Sequence, residues 1–160
     1  MQTLAQHILH RARVIECPVT NIHLQKVLYF TIGFMLQHDR KLARDLFEQD
    51  EMQAWLYGPV VPKIYAQYES YRKRVIADEG ERCELLNTNR INKIIDVLIQ
   101  VDPFKLVRIS QQHHFWKQHK REIRIDNQRP IYQFSDIQEA FSTGAYINHK
   151  KTSLLSTYIT

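Results

Sequence analysis

The chain has 160 residues, of which 44 % are hydrophobic and 24 % charged, with four glycines, five prolines and a formal net charge of +5. That describes one domain of ordinary size, too apolar for a disordered chain and too poor in glycine and proline for a collagen-like or low-complexity one. The longest apolar runs, such as 27–30, fall far short of the ~20 residues that a membrane helix needs, and the residues after Met1 lack the regions of a signal peptide, so a cytoplasmic location with no membrane association is expected.

Over residues 4–15 the apolar positions Leu4, Ile8, Ala12 and Ile15 recur at spacings of three and four, which predicts an amphipathic helix. Pro18 breaks it. Thr20 is placed to cap a second helix over about 21–37, with Val19 and Leu24 positioned as a hydrophobic staple. This second helix is apolar on more than one face (Ile22, Leu24, Val27, Leu28, Phe30, Ile32), which predicts a central place in the core. Residues 39–50 read as a loop or short helical turn anchored by Leu42, Leu46 and Phe47. The stretch 52–57 alternates loosely around Trp55 and predicts a short strand, stopped by Gly58-Pro59. Pro62 suits the first turn of a third helix bearing Ile64, Tyr65, Tyr68 and Tyr71, and the charged stretch 72–86 reads as a flexible link.

Thr88 can cap a fourth helix with Ile91, Ile94, Ile95 and Leu98 on one face, ended by Asp102-Pro103, which restarts the chain as a fifth helix carrying Phe104, Leu106, Val107 and Ile109. Ser110 is read as the cap of a sixth, short helix through Phe115 and Trp116. Ile123 and Ile125 alternate with charged residues, which predicts a second strand over 122–126. Residues 135–138 fit a capping box for a last helix ending near Gly144, followed by a polar tail over 145–160. The expected fold is mainly α: a compact single-domain bundle of about six to seven helices over 1–144, with a short two-stranded β element from 52–57 and 122–126.

The two cysteines, Cys17 and Cys83, are read as free thiols, because a chain this apolar needs no staple. Eight histidines prompt a search for a metal site, but no pair has the i, i+4 spacing of the HExxH type and no CxxC occurs, so no metal and no cofactor is expected. Neither a G-x-S-x-G elbow nor a glycine-rich phosphate loop is present, and no catalytic residue is assigned. The charge surplus is local. Within 105–129 lie Lys105, Arg108, Lys117, Lys120, Arg121, Arg124 and Arg129 against only Glu122 and Asp126. This basic strip reads as a solvated face, as a docking face for an acidic protein, or, with Phe115, Trp116 and Tyr132 interleaved, as a nucleic-acid contact. The row Tyr65, Tyr68, Tyr71 divides between core edge and protein interface.

Two segments carry more than periodicity. Residues 19–30 (VTNIHLQKVLYF) and 53–65 (QAWLYGPVVPKIY) match the paired signatures T-N-x-x-L-Q-K-x-L-Y and A-W-x-Y-G-P-V-x-P-x-x-Y, and on them the chain resembles the Panacea domain, also called the SocA-like or phage-associated GepA-like family. The likeness continues more loosely over 106–116, where the family carries a Ser/Thr-His pair and a Trp; here two glutamines separate Ser110 from His113. The resemblance implies a helical, non-enzymatic antitoxin that binds a cognate toxin protein directly, with one branch delivering its toxin to a AAA+ protease. Candidate toxin-contacting residues are Gln25, Lys26, Trp55, Tyr57, Tyr65, Tyr68 and Tyr71. The alternative reading is a basic nucleic-acid-binding regulator of its own operon. The sequence leaves the oligomeric state open.

Overall fold

The computed structural model describes residues 1–142. The expected polar tail over 145–160 and the end of the last helix near Gly144 lie outside the described residues. In chain order the elements are α1 (Gln2–Val14), α2 (Asn21–Met35), α3 (Arg40–Phe47), β1 (Gln53–Trp55), β2 (Gly58–Val60), α4 (Pro62–Gln67), a 3-10 turn (Glu69–Tyr71), α5 (Asn89–Gln100), α6 (Pro103–Ser110), α7 (His114–Gln118), α8 (Lys120–Arg124) and α9 (Phe134–Ala140). The protein is mainly helical with one small antiparallel sheet, as expected; the helix expected from Pro62 through Tyr71 is divided into α4 and a 3-10 turn, and the stretch 39–50, expected as a loop or short helical turn, contains the eight-residue α3.

The axis of the fold is α2. Its Thr20 hydroxyl accepts from the His23 N–H, and every residue from His23 to Met35 is buried. Helices α1, α3, α5, α6 and α9 all pack against it, together with α4 and β2. Close packing here has a conspicuous requirement at Gly33, where a Cβ would lie 2.3 Å from the Phe141 ring. Caps also hold elsewhere as the residue types dictate: the Thr88 hydroxyl accepts from Ile91 N–H at α5, and the Asp102 carboxylate accepts from Phe104 N–H at α6, with Pro103 at the first helical position.

Five expectations are corrected. Residues 122–126 form no strand: 120–124 are helical, with Ile123 buried and Ile125 73 % exposed, so the two isoleucines face different surroundings on a helix. The partner of β1 is instead β2, which begins at the Gly58-Pro59 expected to be a stop; Gln53 pairs with Val60, Ala54 with Pro59 and Trp55 with Gly58. Ser110 caps no following helix but ends α6, its hydroxyl donating to the Val107 carbonyl, and α7 starts after His113. The link over 72–86 lacks regular structure yet is held down: Ile76 N–H donates to Val19 O, and Ile76 and Leu86 are buried. The capping box of α9 likewise starts at Gln133, two residues earlier than Ser135.

Candidate functional site

The two signature segments meet in space. Along α2, Asn21 and Gln25 are one helical turn apart, and the Gln25 side-chain amide donates to Asn21 Oδ1 at 3.2 Å. Asn21 Nδ2 in turn donates to the Tyr65 carbonyl at 2.9 Å, while Gln25 Oε1 accepts the Val61 N–H at 2.9 Å. The adjacent Lys26 sends its ammonium to the Pro59 carbonyl at 2.6 Å. Three polar positions of an otherwise apolar helix, Asn21, Gln25 and Lys26, thus satisfy the backbone of the β2–α4 segment, which no regular ladder reaches on that side. Lys26 is fully buried, and burial pushes its ammonium down to about 7.

The turn between β1 and β2 is fixed from its other side. Trp116 Nε1 donates to the Trp55 carbonyl at 3.0 Å, and Gln111 Nε2 donates to the Leu56 carbonyl at 3.0 Å. Ala54 N–H donates to the Pro130 carbonyl at 2.7 Å. Gly58 closes the turn with φ of +92°, and a Cβ there would meet Ser110 Oγ at 2.4 Å, so conformation and space both require glycine. Pinned in this way, the turn holds Leu56 and Tyr57 out in solvent, 48 % and 55 % exposed.

Beside the turn lies a cleft of about 1290 Å³. Gln25 and Lys26 form part of its floor, and Trp55, Tyr57, Tyr65 and Phe104 supply aromatic walls, with Phe104 51 % exposed. The Trp55 and Tyr65 rings meet edge to face at 5.0 Å, and the Arg129 guanidinium lies 4.0 Å above the Trp55 ring. Arg72, Lys73 and Arg129 line the cleft against one carboxylate, Glu69. Among the described residues, none of the three cations has a carboxylate within 4.0 Å.

The expected site residues therefore separate. Gln25, Lys26, Trp55, Tyr57, Tyr65 and Arg129 come together at this cleft, although the polar groups of Gln25 and Lys26 are spent on the chain itself. Tyr68 is buried: its hydroxyl accepts from Gln6 and donates to Asp78, both at 2.8 Å, and burial, aided by Asp78, raises its pKa. Tyr71 is half-buried, its ring 6.5 Å from that of Tyr68. Of the basic strip, Lys105, Arg108, Lys117, Lys120, Arg121 and Arg124 lie outside the cleft; Arg124 covers the Trp116 ring and Arg108 stands 4.0 Å from Asp102. The sequence reading missed Leu56, Phe104, Arg72 and Lys73. For Phe104 a signal existed, since at ~100° per residue it sits about 200° around α6 from the buried Leu106.

Both cysteines are free and half-buried. Among the described residues no three His, Cys, Asp or Glu side chains come together as a metal site, and no helix is long and apolar enough to cross a membrane.

No family model matches the sequence and no solved structure matches it. The chain is 30 % identical over 87 residues to Antitoxin SocA of Caulobacter vibrioides (strain NA1000 / CB15N). The match covers 54 % of this chain and 44 % of that relative, so the chain spans less than half the length of the protein it resembles. This similarity supports a SocA-like antitoxin family for the chain, in keeping with the resemblance carried by residues 19–30 and 53–65.

Proposed function

We propose that this chain is an antitoxin that neutralises a cognate toxin by direct protein–protein binding, with no catalysis of its own. The antitoxin that it resembles supports the role. The observation that carries the binding mode is the β1–β2 turn, whose backbone is held by α2, α6 and α7 while Leu56 and Tyr57 stand in solvent. Exposed apolar side chains on an immobile backbone lose little entropy when a partner covers them, which is how a few anchors come to dominate an interface. In this reading Trp55, Tyr57 and Tyr65 contact the toxin, while Gln25 and Lys26 hold that face in shape and the buried Tyr68 serves the fold.

The test is co-expression with the product of the adjacent open reading frame. The reading expects growth arrest from that product alone, relief by this chain, and co-purification of the two. A neighbour that is harmless alone, or arrest that this chain does not relieve, would overturn it. Toxin half-life in the rescued cells separates occlusion, which leaves it unchanged, from delivery to a AAA+ protease, which shortens it.

The exposed basic residues on α6–α8 favour a second reading, binding of operon DNA. It requires retention on duplex DNA at low salt that falls steeply as salt rises.

A further inference from the structure

The cleft's chemistry narrows what it can accept. Ligand sites for small molecules enclose ~300–1,000 Å³, and this one, at about 1290 Å³ and open on one side, exceeds that range. Its walls combine two features that a single kind of partner satisfies. Leu56, Tyr57 and Phe104 leave roughly half of their surfaces in water, which favours a partner with large apolar side chains. Between them stand Arg72, Lys73 and Arg129, unpaired with any carboxylate among the described residues and outnumbering the single cleft carboxylate, Glu69. That excess favours carboxylates on the partner.

Two further details fit. Arg72 holds φ 54° and ψ −115°, a backbone region that glycine normally occupies, so a strained residue keeps a cation at the rim. Asn127 and Gln128 line the same cleft with side-chain amides that make no hydrogen bond within the described residues, so they are free to pair with an extended backbone. A base would stack on Phe104, but nucleic acid would leave the aliphatic Leu56 without use, and apart from the buried Lys26 its phosphates would meet only Arg72, Lys73 and Arg129, since six of the seven basic-strip residues lie outside.

We infer that the cleft receives a protruding linear segment of the partner protein, rich in Asp and Glu and carrying at least two large apolar side chains. The inference rests on the antitoxin reading for the identity of the partner, but its test does not. The full-length chain is panned against a random 12-residue peptide phage library, and selected peptides are synthesised with a fluorescent label for anisotropy titrations. The selected pool should be enriched in acidic and in aromatic or aliphatic residues. Binding should weaken at least tenfold for Lys73→Glu/Arg129→Glu and for Leu56→Asp/Tyr57→Ser, and stay within twofold for Lys117→Glu/Arg121→Glu, which lies outside the cleft. Leu56 and Tyr57 are exposed, so the second variant keeps the test valid if charge reversal perturbs folding. A pool that is neutral or basic, no selection above background, or binding that survives both cleft variants would overturn the inference. So would a single-stranded oligonucleotide that the wild type retains and the cleft variants lose, in the absence of any selected acidic peptide. A harmless neighbouring gene would sink the antitoxin reading and leave these peptide results standing.

Discussion

The Lys26 ammonium donates to the Pro59 carbonyl at 2.6 Å and so ties the central helix to the strand that carries the exposed turn. With no counter-charge beside it among the described residues, this lysine is destabilised in its charged form by burial, and its pKa falls to about 7.

That depression fixes the sign of a pH effect. Unfolded, the lysine keeps an ordinary pKa near 10.5, so between pH ~7 and ~10 the unfolded chain binds the proton more tightly, and stability rises with pH across that window. Urea unfolding at pH 7, 8, 9 and 10 should show a rise on the order of a few kcal/mol in the wild type. Lys26→Met should remove that rise, and the difference between the two proteins isolates Lys26 from other groups.

Gly58→Ala should destabilise the fold by about 2–4 kcal/mol, because it combines a disfavoured φ of +92° with a Cβ 2.4 Å from Ser110 Oγ. Removing the obstacle with Ser110→Gly in the same chain should restore only part of the loss, since the backbone strain remains. Denaturant titration of the single and double variants checks both statements.

Arg72→Gly should do the opposite, raising stability by up to about 1 kcal/mol as strain at φ 54° is relieved, partly offset by the looser unfolded chain. If the cleft takes an acidic segment, the same variant binds it more weakly. A paired measurement of unfolding midpoint and peptide affinity would show the two moving in opposite directions.

His7 joins α1 to the 78–86 stretch. Its Nδ1 accepts the Cys83 N–H at 3.1 Å, which leaves Nε2 to donate to Asn92 Oδ1 at 2.9 Å, so the neutral ring is the one that fits. Burial lowers its pKa, against the opposing Asn92 bond. The stability from this arrangement is therefore present above the unfolded value of about 6.5 and is lost as pH falls below it. Amide exchange at Cys83 should accelerate, relative to its intrinsic rate, between pH 7 and 5, and His7→Gln, which cannot titrate, should flatten that response.

Legibility in the sequence followed how local each signal was. Caps at Thr20, Thr88 and Asp102-Pro103 depend on a few neighbouring residues, and the structure has all three. The expected strand over 122–126 rested on two alternating isoleucines, a period too short to separate strand from helix, and the helix of 120–124 leaves Ile125 in water. Gly58-Pro59 was readable as a break but not as the start of β2, because the positive φ that turns the chain matters only once Ser110 and Lys26 are beside it. Gln25 and Lys26 stood out as polar positions on an apolar helix. That their partners are the Val61 amide and the Pro59 carbonyl depends on contacts more than thirty residues away, which no local pattern carries. The cleft was legible in half: its aromatic wall sits in a recognisable motif, whereas Arg72 and Lys73 come from a stretch whose charge alone suggested a link.

The most direct test of the central claim is calorimetric titration of the purified product of the adjacent reading frame into this chain and into its Tyr57→Ala variant. Saturable one-to-one binding is expected of the wild type, with a loss of at least 2 kcal/mol, about thirtyfold, in the variant, as an exposed aromatic anchor on a rigid turn requires. Absence of heat with the wild type, or equal affinity for both proteins, would contradict it.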